Sequence, residues 1–142
     1  MRFVDLEPGD SRLQGDAFAV LSQLRTELTP EQLAEVYAEG HPQGLRFTAL
    51  YEDGRCVAVA GWRLMASTVA LRKLYVDDLV TDGRERGRGH GAALIDELAR
   101  RAREAGATVL DLDSGTHRAE AHRFYFRQRM SITSLHFTLP LR

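Results

Sequence analysis

The chain predicts an α+β (α/β mixed) fold, with a central mixed, mostly antiparallel sheet flanked by helices in the order β-α-α-β-β-β-α-β-α-β. Three observations carry this expectation. Asp53-Gly54 separates two β-patterned runs and marks a tight hairpin. Thr29-Pro30-Glu31-Gln32 is a capping box with proline at the first helical position, so a helix begins there. The apolar run Leu74–Val80, the glycine-rich stretch Gly87–Gly91 and the helical pattern that follows lead into the short run Thr108–Asp113, completing a β-α-β unit. At 142 residues the expectation is one domain, 1–142, large enough to bury a core.

Residues 2–7 alternate and read as a first strand, which Pro8-Gly9-Asp10 ends. Residues 13–28 place Leu13, Ala17, Val20, Leu21, Leu24 and Leu28 on one helical stripe. The next helix starts at Thr29, where Leu28 and Leu33 are spaced as a hydrophobic staple, and Gly40 and Pro42 stop it. Leu45–Tyr51 and Arg55–Leu64 form the hairpin arms, with Trp62 expected in the core. Residues 70–80 predict a strand with Leu74, Val76 and Val80 on one face and Asp78 between them. Helix 89–105 ends at Gly106, Thr108–Asp113 reads as a short buried strand, and 117–128 as a basic amphipathic helix. Ile132–Leu139 reads as a final strand, whose edge would offer a second copy of the chain a place to pair and form a homodimer.

Composition narrows the function. The hydrophobic share is 44%, the charged share 27% and the net charge −1, as in an ordinary globular domain. Near-neutrality argues against nucleic acid as the partner, since such proteins carry a basic excess. The first residues hold no apolar signal core and no run approaches membrane-spanning length, so neither export nor a membrane is expected. The single Cys56 cannot form an internal disulfide, and a cytoplasmic location is expected. The five histidines show no metal-binding spacing, and no metal is expected.

The most informative stretch is Arg86-Gly87-Arg88-Gly89-His90-Gly91, followed by Ala92. Glycines here clear side chains from the backbone where a helix begins, and the unpaired N–H groups of that first turn suit phosphate oxygens. Arg84, Arg86 and Arg88 add positive charge. The P-loop spacing is absent. Gly87-x-Gly89-x-x-Ala92 fits a dinucleotide fingerprint, with Asp111 as the ribose-binding acid, but Thr81–Arg86 separate strand from glycine, and too little chain follows Asp111 for a doubly wound sheet. Glycines in such a turn also serve tight packing alone.

The Arg-x-x-Gly-x-Gly spacing, set between that strand and helix, resembles the acyl-CoA pyrophosphate loop of the GNAT superfamily of N-acetyltransferases. A second match is Ala121-His122-Arg123-Phe124-Tyr125, similar to the family's Asn-x-x-Ala-x-x-Phe-Tyr-x-x-x-Gly-Phe element. Here Arg118 replaces Asn, Arg129 replaces Gly and Met130 replaces the last Phe. The resemblance covers nearly the whole chain. It implies direct transfer of an acetyl group from acetyl-CoA, held by Arg86, Gly87, Arg88, Gly89, His90, Gly91 and Ala92, to a primary amine of a small molecule or peptide. It also implies a bulge or splay in the strand before the loop, where a backbone N–H of Leu79 or Val80 meets the oxyanion, while Val80 and Thr81 pair with the pantetheine arm. Tyr125 would protonate the leaving thiolate, matching an acid of pKa near 10 to a thiolate of about 8.5.

Asp77 and Asp78 are adjacent on a strand, so one is expected on each side of the sheet. Asp78 is the candidate general base, with a structural carboxylate at the bulge as the other reading. Glu31, Glu35 and Glu39 form an acidic stripe, either a solvated helix face or an attraction for a cationic acceptor. A non-catalytic acyl-CoA sensor of the same fold is the alternative function.

Overall fold

Five strands lie side by side in chain order: β1 (Arg2–Leu6), β2 (Arg46–Glu52), β3 (Arg55–Ser67), β4 (Leu71–Thr81) and β5 (Val109–Leu112). The first three pairings are antiparallel and the sheet as a whole is mixed. The computed structural model describes residues 1–142, which divide into two compact units, 1–111 and 112–142.

In the first unit the hairpin between β2 and β3 turns on Asp53 and Gly54, both at positive φ (50° and 75°), the pair a primed two-residue turn requires. Helix α3 (Pro30–Gly40) opens with the full capping box: Gln32 N–H donates to Thr29 Oγ1 at 3.1 Å, and Thr29 N–H to Gln32 Oε1 at 3.0 Å. The expected helix over 13–28 is instead two short pieces, α1 (Ser11–Gln14) and α2 (Asp16–Leu21), followed by turns through Leu28. Gly15 breaks the first, adopting φ −103° and ψ −108°. Beyond Leu21 the Ser22 Oγ donates to the local Ala19 carbonyl, while Gln23 reaches the far loop after Thr81, its Oε1 accepting from Gly83 N–H.

Leu13, Ala17, Leu21, Leu33 and Tyr37 from these helices pack on Phe47, Ala49, Val59 and Val80, one face of the sheet. Helix α4 (His90–Glu104) contacts β3 and β4 and buries Leu94, Ile95, Leu98 and Ala102. Trp62 is buried as expected, donating to Thr48 Oγ1 at 2.9 Å with the Arg101 guanidinium 5.8 Å from its ring centre.

The register between β3 and β4 shifts at one place. Gly61 pairs with Asp78 and Trp62 with Val76, so Asp77 is an extra residue on β4, a β-bulge. That corrects two expectations based on strict alternation. Leu74 and Val76 pair with Leu64 and Trp62 on one face, while Val80, paired with Val59, and Asp78 belong to the other. Nor do Asp77 and Asp78 point to opposite sides, because the bulge turns both toward Arg25 and Arg63.

The second unit holds α5 (Ala119–Arg127) and the C-terminal segment. His122 Nε2 lies 2.8 Å from the Gly115 carbonyl oxygen. The strand expected over Ile132–Leu139 is not formed, and Ile132, Leu135, Phe137 and Leu139 are exposed. Alternation supplies a strand's side-chain pattern but not the neighbour its N–H and C=O groups need, and residues 113–142 form no strand among themselves.

Candidate functional site

Strand β4 leads to the loop through a 3₁₀ turn, Gly83–Glu85, capped by Asp82, whose side chain accepts from Arg84 N–H. The Arg84 guanidinium, 3.0 Å from Asp82 Oδ2, holds that carboxyl well below the usual carboxylate range. Glu85 is buried and draws two guanidiniums and an imidazole together: Arg55, Arg88 at 2.9 Å, and His90, whose Nε2 lies 3.8 Å away. The cluster pins the base of the loop. Arg84 and Arg88 are thereby paired within the chain, whereas Arg86 is exposed and makes no ion pair.

Gly87 and Gly89 sit at φ +80° and +81°, in the left-handed region that residues with a Cβ rarely adopt. A Cβ at either would meet nothing within 4 Å, so conformation and not crowding selects glycine there. Gly89 is the N-cap of α4, and no side chain caps that helix. Its first turn closes with Ala93 N–H on the Gly89 carbonyl at 2.9 Å, leaving the N–H groups of His90, Gly91 and Ala92 without intrahelical acceptors. Together with the helix dipole these suit an anion.

Leu79, Val80 and Thr81 pair with Ala60, Val59 and Ala58 on β3. On the other side β5 starts beside Ala70 and Arg72, whose carbonyls accept from Thr108. Four residues at ~3.3 Å each end it before Leu79 in either direction. No strand therefore flanks the outer edge of Leu79–Thr81.

Asp78 faces a cleft of about 680 Å³ between the turns after α2, the start of α3 and the sheet. Gly61, directly opposite, leaves the room its carboxylate fills. Burial pushes the Asp78 carboxyl up, and the Arg25 guanidinium acts against that from 2.6 Å. Arg25 Nη2 also donates to the Asp77 carbonyl at 2.9 Å, and Arg63 grips the Asp77 carboxylate with two N–H groups at 3.0 and 3.2 Å. Sequence reasoning missed Arg25, Arg63 and the partners of Asp77, because no spacing joins Arg25 to a residue 53 positions away. The Glu31, Glu35, Glu39 stripe is exposed, and α3 lines the cleft with Gln32, Leu33 and Val36 instead. Asp111 pairs with Lys73 at 3.0 Å. Cys56 is buried, which pushes its thiol up to about 12 and leaves it a poor nucleophile.

Within the second unit Tyr125 packs edge-on against Phe124, with ring centres 5.4 Å apart. Burial pushes its hydroxyl up, and the Arg118 guanidinium opposes that. Arg129 sits at φ +65°, just past the end of α5. The element it resembles has glycine there, which explains that preference.

The family profile described as the Acetyltransferase (GNAT) family matches residues 15–130. An uncharacterized N-acetyltransferase of Bacillus subtilis is 34% identical over 128 residues, covering 89% of this chain and 90% of that protein. Among solved structures, a Trypanosoma brucei acetyltransferase superposes with a TM-score of 0.78 at 23% identity, covering 99% of both chains. A ribosomal-protein-alanine N-acetyltransferase from Brucella melitensis gives 0.82 at 17%, covering 99% of this chain and 100% of its own. The aminoglycoside N-acetyltransferase AAC(6')-Iy, in complex with CoA, gives 0.83 at 13%, covering 99% and 94%. These three show the likeness of fold.

Proposed function

The chain belongs to the GNAT acetyltransferase family, and on that footing we propose that it transfers an acetyl group from acetyl-CoA to a primary amine of a small molecule or peptide. The observation that carries this is the uncapped start of α4, entered through Gly87 and Gly89 one 3₁₀ turn after a bulged strand. The N–H groups of His90, Gly91 and Ala92 receive the pyrophosphate, with Arg86 as its free cation and Arg88 beside it. The outer edge of Val80 and Thr81 pairs with the pantetheine arm. The reading takes 1–142 as one working domain, a span supported by the family match across both units.

Asp78 takes a proton from the acceptor ammonium, and the nitrogen lone pair attacks the thioester carbonyl carbon. The backbone N–H of Leu79 or Val80 meets the oxyanion. The C–S bond then breaks, Tyr125 donates its proton to the sulfur, and the proton leaving the new amide nitrogen restores Tyr125. The sum is amine plus acetyl-CoA to acetamide plus CoA thiol, with the ammonium's extra proton passing through Asp78 to water.

Near-zero net charge supports a small acceptor over nucleic acid. No helix is long and apolar enough to cross a membrane, and the unpaired thiol Cys56 supports a cytoplasmic setting. Exposed Leu135, Phe137 and Leu139, alternating along the C-terminal segment, support a second copy as a strand-pairing partner. Arg118 and Arg129, standing where the family element has Asn and Gly, favour one rival, an acyl-CoA sensor without turnover.

Thermal shift with acetyl-CoA, CoA, NAD and ATP tests the reading. A ligand at a hundred times its dissociation constant adds about 2.7 kcal/mol, or about 8–12 °C at this size. A shift with acetyl-CoA and CoA alone is expected, and a shift only with NAD overturns the proposal. Thiol release with an amine panel then separates transferase from sensor.

A further inference from the structure

The cleft over Asp78 has a composition that bears on the acceptor. Its walls are Leu24, Leu28, Leu33, Val36, Leu45 and Phe47, and its polar rim residues Thr26, Glu27 and Gln32 are exposed. At about 680 Å³ it has the size of a small-molecule site. Hydroxyl-rich amines placed there would lose water without finding partners on the wall. Of the charged residues of the lining, Glu27 lies exposed at the rim and the other four make the floor: Asp78 and Asp77 from the bulge, Arg25 from the turn after α2, and Arg63 from β3.

We infer that the acceptor is a primary amine carried on an apolar body, an alkyl- or arylalkylamine, and that its ammonium takes the place Arg25 holds on Asp78. The inference rests on the acetyltransferase reading and specifies its substrate. The floor is balanced, with two carboxylates against two guanidiniums, so an arriving cation leaves it balanced only if another departs. Arg63 is held at both ends of its fork by Asp77 and is three-quarters buried. Arg25 is half exposed on a non-helical turn, so its guanidinium can turn out to water while the arriving ammonium takes over the buried Asp78 carboxylate and keeps it paired. It is the group that can leave.

The exchange prepares the chemistry. Arg25 is what holds the Asp78 carboxyl down against burial, so its departure makes Asp78 the readier base. One N–H bond of the ammonium breaks, an O–H bond forms on Asp78, and the nitrogen keeps its lone pair for attack. Arg25 thus acts as an internal stand-in for the substrate, occupying the carboxylate until an amine replaces it.

The test uses the full chain, with acetyl-CoA binding measured first by calorimetry. Thiol release is then compared for phenethylamine and hexylamine against glucosamine and spermidine. The apolar amines should exceed the polar ones by roughly tenfold or more in kcat/KM. Arg25→Gln should lower KM for phenethylamine about threefold or more at unchanged acetyl-CoA affinity, while Arg25→Lys, which keeps the competing cation, should stay near wild type. Val36→Asp, on a half-exposed wall position where the fold tolerates it, should raise that KM about tenfold. A higher amine KM in Arg25→Gln overturns the exchange. Preference for glucosamine or spermidine overturns the acceptor class and leaves the transferase standing. Acetyl-CoA binding without turnover of any amine sends phenethylamine to an NMR titration of that complex, where saturable binding shifting Arg25 supports the inference and its absence ends it. Failure to bind acetyl-CoA removes the acetyltransferase reading itself, and the inference with it.

Discussion

Gly61 stands directly across the β3–β4 ladder from Asp78, and a Cβ on Gly61 would lie 2.8 Å from Asp78 Oδ2 and 2.9 Å from Phe47 Cε1. One missing side chain on β3 therefore makes the space for a buried carboxylate on β4. Gly61→Ala should push both neighbours aside, costing about 1–3 kcal/mol of stability. Turnover should fall further than stability accounts for, because Asp78 moves with the clash. Unaltered kcat in a folded Gly61→Ala protein would show that the position of this carboxylate does not matter to the reaction.

Asp78→Asn separates base from scaffold. Burial holds the folded carboxyl above its ordinary value of 3.8, so ionising it opposes folding. That cost is absent below 3.8 and reaches its full size once pH exceeds the folded value. Asn removes it at neutral pH and leaves Arg25, half exposed, to water. The melting temperature at pH 7 should hold or rise while turnover drops by roughly 10²-fold or more. In wild type the rate should fall with decreasing pH at a value above 3.8, through a group facing Arg25, Arg63 and Asp77, and that limb should vanish in the variant. A large loss of melting temperature with little loss of rate would assign Asp78 to structure.

Local backbone chemistry was legible in the sequence where a residue type answers one demand. Thr29-Pro30-x-Gln32 capped α3, Asp53-Gly54 turned the hairpin, and Gly89 stood where α4 begins. The bulge was legible only through the resemblance, since Asp77-Asp78 interrupts the apolar run without saying which residue is extra, and Asp77 is extra only relative to Gly61 and Trp62. Alternation without its partner placed Asp77 and Asp78 on opposite faces. The apolar stripe over 13–28 was real, with Leu24 and Leu28 against the core, yet Gly15 and side-chain competition after Leu21 broke its helix. Arg25 gained its role from that break, and no local pattern encodes it. Ile132–Leu139 carries a strand's periodicity, yet no strand forms there.

Gly89→Val isolates the phosphate loop. A branched residue at φ +81° costs roughly 1–2 kcal/mol in backbone strain. It meets no neighbour, so the fold should survive. Acyl-CoA affinity should drop at least tenfold, about 1.4 kcal/mol, because the side chain stands where the ligand approaches the backbone. Gly9→Val is the control, with φ +88° and equally open surroundings but no place in the loop. Equal losses of affinity in the two variants, read by calorimetry, would reduce the effect to strain.

Arg129→Gly removes a left-handed arginine. The segment after α5 is held by Met130 N–H on the Tyr125 carbonyl at 3.0 Å, and this closure requires φ +65° at Arg129. Glycine should stabilise the protein by about 1 kcal/mol, the left-handed penalty less glycine's greater unfolded freedom. A denaturant midpoint that falls instead would mean that the arginine side chain contributes more than its backbone costs.

Tyr125→Phe removes one hydroxyl and keeps the ring that packs against Phe124. Burial raises this hydroxyl's pKa above 10, so it holds its proton throughout the neutral range, as a donor to a departing thiolate must. Ionisation at higher pH opposes folding, so any stability the neutral phenol contributes is present below 10 and lost as pH climbs through the folded value. Turnover should fall by roughly 10²-fold in Tyr125→Phe, with acetyl-CoA affinity and melting temperature nearly unmoved. A packing role makes the opposite demand: little change for Phe and a loss of about 3–5 kcal/mol for Tyr125→Ala. The measurement belongs under single-turnover conditions, where product release cannot mask a slowed proton transfer. Equal single-turnover rates in wild type and Tyr125→Phe would make water the proton source and leave the amine-activating side of the reaction, at Asp78, to be judged on its own variant.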